Sequence, residues 1–133
     1  MDIVIRPVGV IRSPFRVRGD APPQGRFSDE KSEIHIFPEY RKAAEGLELF
    51  EHVFVIYWQH LAERDVLKVV PRGKRNKRGV FSTRAPSRPN PLGLCLVKLL
   101  DVDDVLTVQG LDALDGSPVI DIKPYYKDID SPW

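Results

Sequence analysis

At 133 residues, 42% hydrophobic and 29% charged, the sequence has the composition of one globular domain, residues 1–133, which excludes wholesale disorder. A lone cysteine, Cys95, excludes an internal disulfide and a thiolate-rich zinc site. The net charge of +1 hides an asymmetry: residues 66–100 hold nine basic and no acidic side chains, so they carry +9 while the rest carries 11 − 19 = −8.

Arg6 and Arg12 interrupt the apolar start, so it does not read as a signal peptide. No apolar run approaches the roughly 18 residues of a spanning helix, and the expected location is a reducing cytoplasm. In chain order, residues 3–11 (IVIRPVGVI) predict a strand with Pro7 at an edge or bulge. Residues 13–25, punctuated by Pro14, Gly19, Pro22, Pro23 and Gly25, predict a loop, and residues 33–37 a short alternating strand. Pro38 opens the one convincing helix, with Gly46 as its C-cap. Residues 52–60 (HVFVIYWQH) predict a central strand. Residues 94–100 and 105–111 predict a hairpin around DVDD, and residues 119–122 a last strand. The expected fold is mainly β: a small barrel or sandwich with one or two short helices, and not a Rossmann sheet.

The familiar nucleotide signatures GxGxxG and Walker A are absent, as is the zinc motif HExxH. His52 and His60 would lie about 27 Å apart along one strand, so no shared metal site is expected there. The run containing Arg72, Lys74, Arg75, Lys77 and Arg78 is the footprint of a polyanion site, although a solvated basic loop has the same composition. Directly after it, Pro86, Pro89 and Pro91 stiffen a loop that carries Arg84, Ser87, Arg88 and Asn90. Arginine forks suit phosphate or carboxylate, and asparagine can read an adenine edge. The other reading is a proline-rich turn whose arginines cap strand ends. In residues 109–125, Gly110 and Gly116 allow close backbone approach, while Asp112, Asp115 and Asp121 favour a cationic ligand. Taken alone, that stretch reads better as a turn with solvated aspartates than as a site.

Together, GVFSTRAPSRPNPLG and LDALDGSPVIDIKPY resemble the TrmO family of S-adenosylmethionine-dependent tRNA methyltransferases. The opening IRPVGVIRSPF and the middle GLELFEHVFVIYWQH are similar to that family as well, so the resemblance covers nearly the whole chain. It implies a small non-Rossmann β-barrel and a homodimer with the cofactor, S-adenosyl-L-methionine, near the subunit interface. It also implies N6-methylation of threonylcarbamoyl-adenosine beside the tRNA anticodon.

By the same resemblance, the cofactor contacts fall on Pro23, Gln24 and Gly25, on His60, on Arg84 and Leu94, and on Gln109, Gly110, Leu111 and Asp112. Leu61 stands where the family commonly has glutamine. The tRNA contacts fall on Arg84, Arg88 and Asn90, backed by Arg72, Lys74, Arg75, Lys77 and Arg78. Arg88 and Asn90 are expected to orient the base. Asn90, Asp112 and His60 are the catalytic candidates, with no metal. Many bacterial members carry a further C-terminal domain after the DIKPY motif. Two other functions stay open: a non-catalytic S-adenosylmethionine-binding protein, and an RNA-binding module without cofactor. Cys95, in an apolar strand, is expected in the core.

Overall fold

The computed structural model describes residues 1–17, 19–22 and 28–132. Six antiparallel strands close into a barrel in the order β1-β2-β7-β6-β3-β8. They are β1 (Gly9–Arg12), β2 (Lys31–Ile36), β3 (His52–Trp58), β6 (Leu92–Val102), β7 (Val105–Gln109) and β8 (Pro118–Pro124). Two further short strands, β4 (Lys68–Val69) and β5 (Arg78–Gly79), pair outside the barrel.

Period-two alternation builds the core. Along β3, Val53, Val55 and Tyr57 point inward, and along β6 Gly93, Cys95 and Val97 do the same. They meet Ile11, Ile34, Leu106, Val108 and Val119 from the other strands. Each fully buried branched side chain contributes about 1.5–3 kcal/mol relative to exposure. Closure leaves no barrel strand with an open edge, since β1 pairs with both β2 and β8.

Several boundaries differ from the sequence expectation. The first strand begins only at Gly9, because Pro7 has no N–H to give a ladder; Ile3 and Val4 are exposed. The helix expected from Pro38 is a 3-10 helix, Pro38–Ala44, with no buried residue along it. Without an apolar stripe to pack, nothing favours extending it into an α-helix. Gly46, at φ +91°, opens a second 3-10 turn (Leu47–Leu49) instead of capping the first. The hairpin strand β6 is longer than expected and is irregular between Leu99 and Asp101. A short helix, α1 (Lys127–Asp130), follows β8. Among the described residues no helix is long and apolar enough to cross a membrane.

Candidate cofactor and nucleic-acid site

At one end of the barrel, where β3 and β6 run out into loops, lies an open cleft of about 920 Å³. Its floor is the inward end of β3 and β6, which pair Tyr57 with Gly93. Tyr57 donates its hydroxyl proton to Asp112 Oδ1 at 2.7 Å, and Gln59 lines the cleft beside them. Burial first, then the charge and hydrogen bond of Asp112, push the Tyr57 hydroxyl far above the usual phenol range. It therefore stays protonated and remains a donor. Gly93 makes this packing possible, because a Cβ there would lie 2.3 Å from the Tyr57 ring.

The proline-rich loop forms the wall. Pro91 is fully buried and its carbonyl accepts from Gln59 N at 2.8 Å, which ties the loop to the end of β3. Arg64 clamps the loop from outside. Its Nε donates to Pro89 O at 3.3 Å, Nη2 donates to Asn90 Oδ1 at 3.5 Å, and Cζ sits 5.1 Å from the centre of the Trp58 ring. With its oxygen so engaged, the Asn90 amide keeps its N–H groups for other acceptors.

Arg88 has a different task from the one expected. Its guanidinium donates to three backbone carbonyls, Thr83 O at 3.1 Å, Ala85 O at 2.9 Å and Val80 O at 3.0 Å. Its backbone N–H reaches Glu63 O at 3.2 Å. Arg88 is thus a strut within the loop, with three of its five guanidinium N–H donors given to the loop's own carbonyls.

The cleft brings together His60, Arg84, Leu94 and Asp112 from the expected cofactor set, and Arg72, Arg78, Arg84, Arg88 and Asn90 from the expected tRNA set. It does not include Lys74, Arg75 or Lys77, which stand exposed on the loop between β4 and β5. Gln109, Gly110 and Leu111 lie behind it. Gln109 Nε2 donates to Asp29 O at 2.9 Å, Gly110 O accepts from Cys95 Sγ at 3.3 Å, and Leu111 is in the core. From residues 109–125, Asp112 and Leu114 line the cleft. Pro23, Gln24 and Gly25 lie outside the described residues.

His60 is anchored at the rim. Its Nδ1 lies 3.4 Å from Ser117 Oγ, whose own proton goes to Leu114 O at 2.7 Å. Hydrogen-bond logic then places the neutral ring's proton on Nδ1 and leaves Nε2 as an acceptor. Among the described residues no three His, Cys, Asp or Glu side chains gather as metal ligands do.

Tyr57, Gln59, Arg64 and Gly93 escaped the sequence reading. The inward parity of Tyr57 and the glycine inside an apolar strand were the available signals, because a buried hydroxyl needs a partner and a strand glycine marks close approach.

The geometry agrees with what the chain is similar to. The family model for the tRNA-methyltransferase O N-terminal domain matches residues 10–131. An S-adenosyl-L-methionine-binding protein of Archaeoglobus fulgidus is 55% identical over 129 residues, covering 96% of this chain and 93% of that protein. The tRNA (adenine(37)-N6)-methyltransferase of Escherichia coli is 38% identical over 130 residues, covering 89% of this chain and 55% of that enzyme. A crystal structure of TrmO from P. aeruginosa superposes with a TM-score of 0.82 at 34% identity. That superposition covers 99% of this chain and 58% of the longer one. The chain belongs to the TrmO family.

Proposed function

We propose that this protein is an S-adenosylmethionine-dependent methyltransferase acting on N6 of threonylcarbamoyl-adenosine beside the tRNA anticodon, in the cytoplasm. The observation that carries the reading is a single cleft in which His60, Arg84, Leu94 and Asp112 lie beside Arg72, Arg78 and Asn90. A cofactor pocket and a basic approach for a polyanion are therefore continuous. The cleft's size suits a nucleoside-sized ligand, and its lining of leucine and proline with one carboxylate and several arginines suits a zwitterion carrying an adenosine.

When bound, S-adenosylmethionine supplies an electrophilic methyl group on a sulfonium, which departs as a neutral thioether. The protein's contribution is alignment and exclusion of water. Asp112, fixed by Tyr57, would hold the cationic part of the cofactor, and Arg84 and Leu94 would hold its flank. Asn90 offers amide N–H donors to the base, held out by Arg64, while Arg88 shapes the loop that carries it. His60 Nε2 and Asp112 are the two acceptors at hand for the proton lost as nitrogen is alkylated.

The protein works as a homodimer through the outer face of β6 and β3. Leu92, Leu94, Leu96 and Leu100 are 39%, 61%, 40% and 39% exposed there, and Trp58, Ile56 and Phe54 pair beside the first three. An apolar row of this kind marks an interface. Leu94 belongs to both the row and the cleft, which brings the cofactor near the subunit boundary.

The test is transfer of labelled methyl from S-adenosylmethionine to tRNA with and without threonylcarbamoyl-adenosine. Label confined to the modified pool supports the assignment. No label in either pool, with cofactor binding intact, favours a second reading, a non-catalytic S-adenosylmethionine-binding protein. That reading draws on the relatives: the archaeal proteins at 76% and 55% identity bear binding-protein names, whereas those named as methyltransferases are 38% and 36% identical.

A further inference from the structure

Charge in the cleft is lopsided. Arg72, Arg78, Arg84 and Arg88 all line it, yet Asp112 is the one acidic residue among the described residues that do so. A lone carboxylate among arginines would swing toward the nearest guanidinium unless something held it. What holds it is a neutral donor: the Tyr57 hydroxyl, at 2.7 Å from Oδ1, in the range of a charge-assisted bond. Among the described residues no salt bridge to Asp112 is found. The donor is itself immobile, since Tyr57 is 4% exposed with its ring packed directly on Gly93. One carboxylate oxygen is thus occupied by an uncharged donor, which leaves the other for whatever enters the cleft.

We propose that Tyr57 is a specificity-determining positioning residue: by donating to Asp112 it fixes the cleft's one carboxylate toward the sulfonium of S-adenosylmethionine, so that the charged cofactor is held in preference to its thioether product. The proposal rests on the cofactor reading above. The physical basis is the difference between the two ligands. S-adenosylmethionine and S-adenosylhomocysteine share adenosine, ammonium and carboxylate, and differ by one methyl group and one positive charge on sulfur. A fixed anion in a partly desolvated cleft distinguishes them by Coulomb attraction. The surrounding arginines by themselves disfavour the charged form. A loosely held Asp112 would offset them less, so the preference depends on Tyr57 as well as on the carboxylate.

The experiment is calorimetric titration of the full chain with S-adenosylmethionine and, separately, S-adenosylhomocysteine, for wild type, Tyr57→Phe, Asp112→Asn and the double variant. Tyr57→Phe is expected to weaken S-adenosylmethionine binding about three- to tenfold and S-adenosylhomocysteine binding less than about twofold. Asp112→Asn should shift the ratio at least as far, and adding Tyr57→Phe to it should change the ratio no further, because the two act through one contact. A merely structural role for Tyr57 would weaken both ligands equally, and an unchanged ratio overturns the proposal. If Tyr57→Phe does not fold, Gly93→Ala, which displaces the Tyr57 ring, takes its place, and an unchanged ratio in it overturns the proposal. Wild-type protein that binds neither ligand refutes the cofactor reading itself, a result distinct from binding without discrimination.

Discussion

Gly93 lies directly beneath the ring of Tyr57, so close that a methyl group on its Cα would fall 2.3 Å from the ring's Cζ. The two residues are register partners of β6 and β3, and both point into the barrel. A larger residue at 93 must push the ring away, and the ring carries the hydroxyl that holds Asp112. Gly93→Ala is therefore expected to destabilise the protein by about 1–3 kcal/mol, the usual cost of overpacking a core. Thermal melting should show a midpoint lowered by roughly 3 to 9 °C. A melt within a degree of wild type would mean that the ring has room to move.

Arg88 supports a second prediction. Because its guanidinium bridges Val80, Thr83 and Ala85, removing it unties the loop that carries Arg84 and Asn90. Arg88→Ala should cost about 2–3 kcal/mol, given charged donors lost from several carbonyls at once. It should weaken cofactor binding and tRNA methylation together. Arg88→Lys should not restore either, since one ammonium cannot span the three carbonyls as a planar fork does. Calorimetry alongside the methyl-transfer assay checks this. Loss of methylation with cofactor affinity intact would return Arg88 to direct contact with the base.

Much of this fold was legible because alternation is a strong local signal. The central strand β3 follows from its run of bulky apolar residues, although that run does not say which face turns inward, and the hairpin of β6 and β7 follows from two apolar runs around acidic residues. Which strand lies beside which was not legible. Placing β8 between β1 and β3 depends on pairings such as Val53 with Pro124, far apart in sequence, which periodicity does not encode. Pro38 and Gly46 punctuate a 3-10 helix and an α-helix alike, so the helix type there was not readable either. At the site, the density of arginine, proline and asparagine drew attention to residues 84–91. A loop arginine reads the same whether its donors face a ligand or its own backbone, so the three backbone bonds of Arg88 were not readable in the sequence.

Tyr57 also predicts a response to alkali. Its hydroxyl titrates near 10 in the unfolded chain and far higher in the folded protein, mainly through burial and then through Asp112. Above pH 10 the unfolded chain therefore holds fewer protons than the native one, and stability falls as pH rises. The contribution is complete below pH 10 and lost progressively above it. Melting midpoints measured from pH 8 to 11 should fall more steeply for wild type than for Tyr57→Phe, which has no proton to lose. Parallel curves for the two proteins would contradict the assignment.

The basic loop between β4 and β5 tests the approach of tRNA separately from the chemistry. Lys74, Arg75 and Lys77 are exposed, lie outside the cleft lining and belong to the acid-free stretch of the chain. If they meet phosphates, each contact releases condensed counterions, and the slope of log affinity against log salt shrinks by about 0.7 to 0.9 for each residue neutralised. Lys74→Ala combined with Lys77→Ala should reduce the slope by about 1.4 to 1.8 while cofactor affinity stays at the wild-type value. Binding of tRNA measured between low and moderate salt checks the slope, and calorimetry checks the cofactor. A slope unchanged by both substitutions would mean that this loop is only solvated. The polyanion would then have to be held by Arg72, Arg78 and Arg84 within the cleft, where the same substitutions to alanine should lower cofactor binding as well.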